Sequence, residues 1–287
     1  MYPLALVVPI HRRADIMNLS EQISISNSKV DIFFVFVLDK SHDQHIEKFF
    51  EEEFEKFNLN KKVISGYYGN PGTARNAGIE ESIEASWVMY LDADDRLELD
   101  EVHTYLKQPQ LSTFSAIVFD YNEIHSLKEV KRVTSRDKAE LALNPGIWRI
   151  AFRAESIRGI DFPPLILGED QIYFLRTSVL NKKVFFSETL VYGHRVNTGS
   201  NISEIRTNYS YYRDLLEVLL SEIDSYSLND LLRNLILIRL LLSSLKRRTL
   251  LTPSQYRSIT SYFLFRTKFR TQILTFKNLT QKRGSGG

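Results

Sequence analysis

The first 125 residues alternate short apolar runs with amphipathic stretches of helical length, a rhythm that confines this part of the chain to β-α-β units around a largely parallel sheet. Four runs read as strands: LALVVPI at 4–10, DIFFVFVL at 31–38, KVISGYY at 62–68 and WVMYL at 87–91, each rich in β-branched or aromatic residues. Between the second and third, residues 43–57 give the clearest helix, because Ile46, Phe49, Phe50, Phe54 and Phe57 recur at helical spacing. A further strand is expected over 115–124, followed by a polar stretch at 125–140 that reads as a hairpin or a mobile loop. Strand-like runs at 184–186 and 190–192 imply that the second half mixes strand orientations. No repeat of 20–50 residues is evident.

From residue 208 the pattern turns helical. Leu228, Leu231, Leu232, Leu235, Ile238, Leu241, Leu242 and Leu245 fit one helical face, with Ser227 placed to cap it. Thr252-Pro253-Ser254-Gln255 has the form of a capping box with proline at the first helical position. The helix expected after it would carry Tyr262, Phe265, Phe269, Ile273 and Phe276 on one side and Arg266, Arg270 and Lys277 on its flank. The 287 residues therefore divide into an α/β body over 1–205, a basic amphipathic helical region over 206–283 and a disordered end at 284–287.

Charge sharpens that division. The chain's net charge is only +2, yet residues 231–287 hold twelve Lys or Arg and no Asp or Glu, which leaves −10 on residues 1–230. A reversal of this size points the tail at something anionic. It reads as a membrane-surface element, as a nucleic-acid arm, or as a helical subdomain docked on the acidic body. The membrane surface, with docking, is the favoured reading, and nucleic acid is not expected as a partner. No apolar run approaches the 18 or so residues that span a bilayer, and the N-terminus lacks the basic flank of a signal peptide. The absence of cysteine removes thiolate chemistry, disulfides and Cys-based zinc sites, so a cytoplasmic location, peripheral on the inner face of the cell membrane, is expected.

Five short segments carry the chemistry. Asp92, Asp94 and Asp95 follow a strand end in YLDADD, and three carboxylates in four residues repel one another unless a cation or an array of donors compensates them. Such an oxygen-rich set suits Mg²⁺ or Mn²⁺, although a solvated acidic turn would look the same in sequence. GNPGTARNAG over 69–78 leads into a helix, and its Gly72 and Arg75 belong to a turn that favours anions without being a Walker A loop or a GxGxxG fingerprint. Asp39 and the Pro9-Ile10-His11 turn fall at the ends of two other parallel strands, on the edge where open α/β sheets bind ligands. Gly168-Glu169-Asp170 starts a helix, where a carboxylate serves as a cap or as a general base. Tyr192-Gly193-His194-Arg195 sets an imidazole and a guanidinium beside a Gly/Ser-rich loop.

Taken in order, these segments resemble the family 2 inverting glycosyltransferases of the GT-A fold, over residues 4–203. VVPIHRR is similar to that family's opening strand and nucleotide-binding turn, VLDKSHD to its VDDGSTD segment and GNPGTARNAG to its run ending in ARN-x-G. YLDADD matches its DxD-type motif, FPPLILGED its ED motif, and VYGHRVNTGSNIS its late strand and closing loop. Three departures stand out: Leu38 replaces the first acid of the DD pair, Lys40 the usual glycine, and Ile10-His11-Arg12 the common Thr-Tyr-Asn.

The resemblance implies a nucleotide-diphospho-sugar transferase with a Rossmann-like mixed sheet flanked by helices. It implies a nucleoside-diphosphate-sugar donor, expected to be a UDP-sugar, and a glycan or lipid-linked saccharide acceptor in bacterial surface-polysaccharide synthesis. Asp94 would ligate Mn²⁺ or Mg²⁺, with Asp92 beside the donor ribose or the metal shell and His194 as a third protein contact. Pro9, His11, Asp39, Gly72, Arg75 and Arg195 would line the donor, Asp39 facing the base and Arg75 supporting the diphosphate or the base. Asp170 would be the general base and Glu169 would orient the acceptor or the loop. A silent scaffold of the same fold and a nucleotidyltransferase remain the alternatives, the latter disfavoured because PIHRRAD has no glycine for a phosphate loop.

Overall fold

The structure, a computed structural model, describes residues 2–82, 84–126, 129–196, 209–223, 225–226, 232–233 and 235–239. The strands are β1 (Leu4–Ile10), β2 (Ile32–Asp39), β3 (Asn60–Gly66), β4 (Trp87–Tyr90), β5 (Arg96–Leu97), β6 (Ala116–Ser126), β7 (Glu129–Val133), β8 (Ile150–Arg153) and β9 (Val184–Arg195). They form one sheet in the order β3-β2-β1-β4-β8-β6-β9-β5, with β7 paired to β6. The helices are α1 (Arg13–Ile25), α2 (Ile46–Phe54), α3 (Pro71–Glu81), α4 (Leu99–Leu106), α5 (Lys138–Leu143), α6 (Ala154–Ile157), α7 (Glu169–Arg176) and α8 (Tyr209–Glu222).

The first four strands are parallel, as the apolar rhythm requires, and β1 is covered on both faces. Its residues alternate strictly between two cores. Ala5 and Val7, with Val35 and Val37 of β2, face the side of α3 and α7. Leu4, Leu6, Val8 and Ile10, with Phe34, Phe36 and Leu38, face α1, α2 and α4. The Phe50 and Phe54 rings of α2 stack at 4.3 Å against Phe36, so the phenylalanine stripe read from sequence is the buried face of that helix.

The α3 side is lined by small residues because the helix lies close. A Cβ at Gly78 would sit 2.5 Å from Val7 Cγ1 and 3.1 Å from Val37 Cγ2, so only glycine admits this approach. The N-terminus of α3 is closed by Asn70, whose side chain accepts from Thr73 N at 2.8 Å, with Pro71 at the first helical position.

Beyond β4 the sheet is mixed, as expected: β8 is antiparallel to β4 and β6, β9 runs parallel to β6, and β5 is antiparallel to β9. One detail differs from the sequence reading, and one open choice is decided. The runs at 184–186 and 190–192 belong to one long strand, β9, whose register against β6 shifts near Asp120. The polar stretch at 125–140 contributes a hairpin strand, β7, held by a fully buried carboxylate: Asp120 takes Arg132 at 2.7 Å and Arg136 at 2.6 and 2.8 Å.

The first part of the basic region shares the core of the body. Leu215, Leu216 and Leu219 of α8, with Leu232, Ile236 and Ile238, join α7 in one apolar cluster, and Arg176 pairs with Glu222 at 2.6 Å. Ser227, Leu228, Leu231, Leu241, Leu242, Leu245, the 252–255 capping box, the 262–277 amphipathic pattern and residues 284–287 lie outside the described residues. No helix among the described residues is long and apolar enough to cross a membrane.

The Gly78 contact is directly testable. Gly78→Ala is expected to cost about 1–3 kcal/mol through overpacking, read as a lower urea midpoint at unchanged slope. An unchanged midpoint would mean that α3 sits farther from the sheet.

Candidate active site

The strand order reverses beside β1, whose two neighbours are β2 and β4. Ligand crevices in open α/β sheets form at such a switch point, beyond the carboxyl ends of the strands. The loops after β1, β2 and β4 meet there and carry His11 and Arg12, Asp39, and Asp92 to Asp95.

The acidic loop after β4 is held by its backbone. Asn18 of α1 donates to Ala93 O at 2.8 Å, and Gln22, one turn on, donates to Asp95 O at 2.8 Å and accepts from Leu97 N at 3.0 Å. Its three carboxylates then take three different environments. Asp95 is 1% exposed and turns inward, accepting from Tyr192 Oη at 2.9 Å and Arg195 N at 2.8 Å, with His194 Nδ1 at 3.0 Å. Asp92 accepts from Arg75 Nη2 at 2.5 Å. Among the described residues Asp94 is left with a single long contact, 3.4 Å from Arg12 Nη2. Burial and the like charges of Asp92, Asp95 and Asp15 push its carboxyl up to about 6, with Arg12 pulling the other way. The repulsion expected from sequence is thus relieved by donors at Asp95 and Asp92 and stays concentrated on Asp94.

Arg75 is the buried centre of the site. Its Nη1 donates to Glu169 Oε1 at 2.7 Å while its Nη2 reaches Asp92, and its guanidinium lies 5.5 Å from the Phe162 ring centre. Burial alone would weaken its charge; the two carboxylates more than compensate and raise its pKa. Its buried Nε has no hydrogen-bond partner among the described residues. The sequence reading aimed Arg75 at an anion or a base, whereas here its terminal nitrogens are committed to two protein carboxylates. The next residue, Asn76, clamps the backbone of Phe162 from both sides, donating to its O at 3.0 Å and accepting from its N at 2.7 Å.

Glu169 and Asp170 open α7 after Gly168, whose φ of +81° is the left-handed conformation that favours glycine. Glu169 is buried against Arg75; burial pushes its carboxyl up, Arg75 opposes this and Asp170 adds to it. Asp170 is half-buried, and its one hydrogen bond among the described residues comes from Gln171 N at 2.8 Å. Burial, and then Asp92, raise its pKa against the pull of Arg75 and Arg239.

At the end of β9, Trp148 stacks on Tyr192 at 4.5 Å and on His194 at 5.0 Å. Burial lowers the His194 pKa, but Asp95 outweighs it and the net shift is upward. A carboxylate on Nδ1 is the usual support of a metal-ligating imidazole. Among the described residues no group of three or more His, Asp or Glu side chains is arranged to hold a metal ion. The half-buried, weakly partnered Asp94 beside Asp92 still fits a hard divalent cation, which takes one or two carboxylates and completes its shell with phosphate and water. The Arg195 side chain is exposed, and only its backbone N–H touches the site.

On the other flank, Pro9 is half-buried in β1 opposite Val37. His11 lies edge-on to His42 at 6.2 Å, and burial holds its imidazole below the usual range. Asp39 Oδ1 accepts from Ser41 N at 2.9 Å, Ser41 Oγ at 2.6 Å and Tyr68 N at 3.1 Å, while Oδ2 accepts from Gly69 N at 3.0 Å. Burial acts to raise this carboxyl, but these bonds together hold it below the ordinary range. Gly72 serves packing, since a Cβ there would come within 2.7 Å of Pro163 O. Sequence reasoning missed the roles of Asp95, Tyr192, Asn76, Asn18 and Gln22. The i, i+4 amide spacing of Asn18 and Gln22 on one helix was the available signal.

No protein-family model matches the chain, and no curated protein matches it in sequence. Solved structures do. S. aureus TarS 1-349 in complex with UDP-GlcNAc superposes with a TM-score of 0.64 at 18% identity, over 99% of this chain and 80% of that one. A longer TarS structure gives 0.58 at 19% identity over 85% of this chain, which spans only 43% of that protein. The mannosyltransferase from Pyrobaculum calidifontis in complex with GDP-Man and Mn²⁺ gives 0.57 at 12% identity, over 98% of this chain and 86% of that one. The chain has the GT-A glycosyltransferase fold, a mixed sheet flanked by helices.

Removing the Arg75 guanidinium leaves Glu169 buried without its cation. Arg75→Met is expected to lose about 3–5 kcal/mol in denaturant unfolding, and adding Glu169→Gln is expected to recover a large part of that loss. No recovery in the double variant would contradict the pairing.

Proposed function

We propose that the chain transfers a sugar from a nucleoside-diphosphate sugar, a UDP-sugar, to a hydroxyl of a saccharide acceptor, with inversion. The observation that carries this reading is the division of labour around Arg75. It neutralises Asp92 on the donor side and Glu169 on α7, and leaves Asp170 as the carboxylate without a side-chain partner among the described residues.

The donor would lie across the ends of β1, β2 and β4. Asp39, by gripping Tyr68 and Gly69, shapes the wall on which the base rests, and its Oδ2 keeps a lone pair for a ring N–H. Pro9 and His11 line the same wall, Gly72 sets the start of α3 against it, and Arg195 closes the far side. Asp94, with Asp92 and His194 beside it, would hold Mn²⁺ or Mg²⁺, which when bound supplies charge neutralisation for the departing diphosphate. Asp170 takes the proton from the acceptor hydroxyl while that oxygen forms its bond to the anomeric carbon. The bond from that carbon to the diphosphate oxygen breaks, and the nucleoside diphosphate leaves with the electron pair. The raised pKa of Asp170 suits the role, because a base is most effective when its pKa approaches the working pH. Glu169, pinned by Arg75, positions the helix start that carries Asp170. Hexosyl or N-acetylhexosaminyl transfer to a lipid-linked saccharide is the setting the family resemblance favours, and the charge asymmetry of the chain suits a basic tail at the membrane surface.

A panel of UDP-, GDP-, CDP- and TDP-sugars with Mn²⁺, Mg²⁺ or EDTA tests the reading through release of nucleoside diphosphate. One donor is expected to be turned over, with release lost in Asp94→Ala. Asp170→Asn should lower transfer about 10²- to 10⁴-fold while nucleotide affinity is kept. No binding of any nucleotide under any metal condition would overturn the assignment. Because Asp170 must be ionised to act, kcat/KM should rise with pH through an apparent pKa above the usual carboxylate range of about 4. A rate already at its plateau below that range would remove Asp170 as the base.

A further inference from the structure

The turn after β1 carries a guanidinium where the family pattern has an asparagine, and the structure gives it a built seat. Arg12 donates through Nε to Asp15 Oδ2 at 3.1 Å and through Nη2 to Oδ1 at 2.7 Å, a two-point grip on a carboxylate that is itself only 3% exposed. The guanidinium is one-third exposed, and Nη2 also approaches Asp94 Oδ2 at 3.4 Å. Nη1 makes no hydrogen bond among the described residues. A planar cation held in one orientation, with N–H groups uncommitted and its edge at the switch point of the sheet, is arranged to receive a phosphate oxygen.

We propose that Arg12 is a diphosphate-binding residue of the donor site, oriented by Asp15 and standing beside Asp94. The inference rests on the transferase reading above and extends it to a residue outside the DxD, ARN and ED segments. It also gives the long Arg12–Asp94 contact a purpose. The cation offsets Asp94 while no ligand is bound, and keeps both bonds to Asp15 when its remaining N–H groups turn to the phosphates. Each terminal nitrogen of Arg75 already donates to a protein carboxylate, whereas Nη1 of Arg12 donates to none among the described residues.

The full chain should be titrated with UDP calorimetrically and with uridine by ligand-observed NMR, with and without Mn²⁺, as wild type, Arg12→Gln and Arg12→Lys. GDP and guanosine provide the second probe pair. Arg12→Gln is expected to weaken diphosphate binding about tenfold and leave nucleoside binding unchanged, with Arg12→Lys between the two because it keeps the charge and loses the fork. Unchanged diphosphate affinity in Arg12→Gln would overturn the role of Arg12 while the transferase reading stands. An equal loss for the nucleoside would overturn it too, making Arg12 a support of the turn. Failure of the wild type to bind either diphosphate would overturn the transferase reading itself.

Discussion

A single buried guanidinium organises this site. Arg75 stands on α3 between two segments far apart in sequence, the acidic loop after β4 and the first turn of α7, and gives one terminal nitrogen to each. Burial pushes the carboxyls of Glu169 and Asp170 up, and both stay raised against the pull of Arg75. Arg75 gives Asp92 and Glu169 a fixed cation, while Asp170 has no side-chain partner among the described residues. A buried pair of this kind contributes little net stability, but breaking it is costly, so its role is to set the arrangement of the two segments.

Arg75 reaches that position only because of how α3 is seated. Gly78 lets the helix sink onto Val7 and Val37, and Gly72 lets its first turn meet the backbone at Pro163. Asn76 locks the backbone of Phe162, whose ring stacks on Tyr173 of α7 at 3.8 Å. Tyr173 in turn shares a buried 2.6 Å hydrogen bond with Tyr90, the last residue of β4. The ARN-x-G run is thus a packing element. Its residues tie the acidic loop after β4 and the α7 helix to the same strand ends.

The fold was legible where one residue pattern had one physical meaning. Continuous apolar runs rich in β-branched and aromatic residues made β1 and β2 readable, because both strands are buried on both faces, and the phenylalanine stripe made α2 readable. The hairpin at β7 was one of two readings of its polar stretch, and sequence could not choose between them because Arg132 and Arg136 look solvent-facing until Asp120, sixteen or fewer residues earlier, supplies a buried counter-ion. At the site, the acidic cluster and the ED pair were visible as clusters, but the division of roles was not. Asp92, Asp94 and Asp95 are chemically the same, and only the approach of Arg75, of Arg12, and of Tyr192 with His194 tells them apart. Those partners lie 17 to about 100 residues away, and no local spacing encodes them. Gly72 shows the converse: a glycine that suggested a close ligand approach is needed for a close backbone.

If Arg75 leaves one carboxylate to act as base and holds the other in place, transfer is a single displacement at the anomeric carbon. The anomeric configuration of the product tests this most directly, read by NMR from the coupling of the anomeric proton in the new glycosidic linkage. From an α-linked nucleotide sugar the account predicts a β-linked product formed first. An α-linked first product would mean two displacements or a different attacking group, and would contradict the assignment of Asp170 and the role given to Arg75.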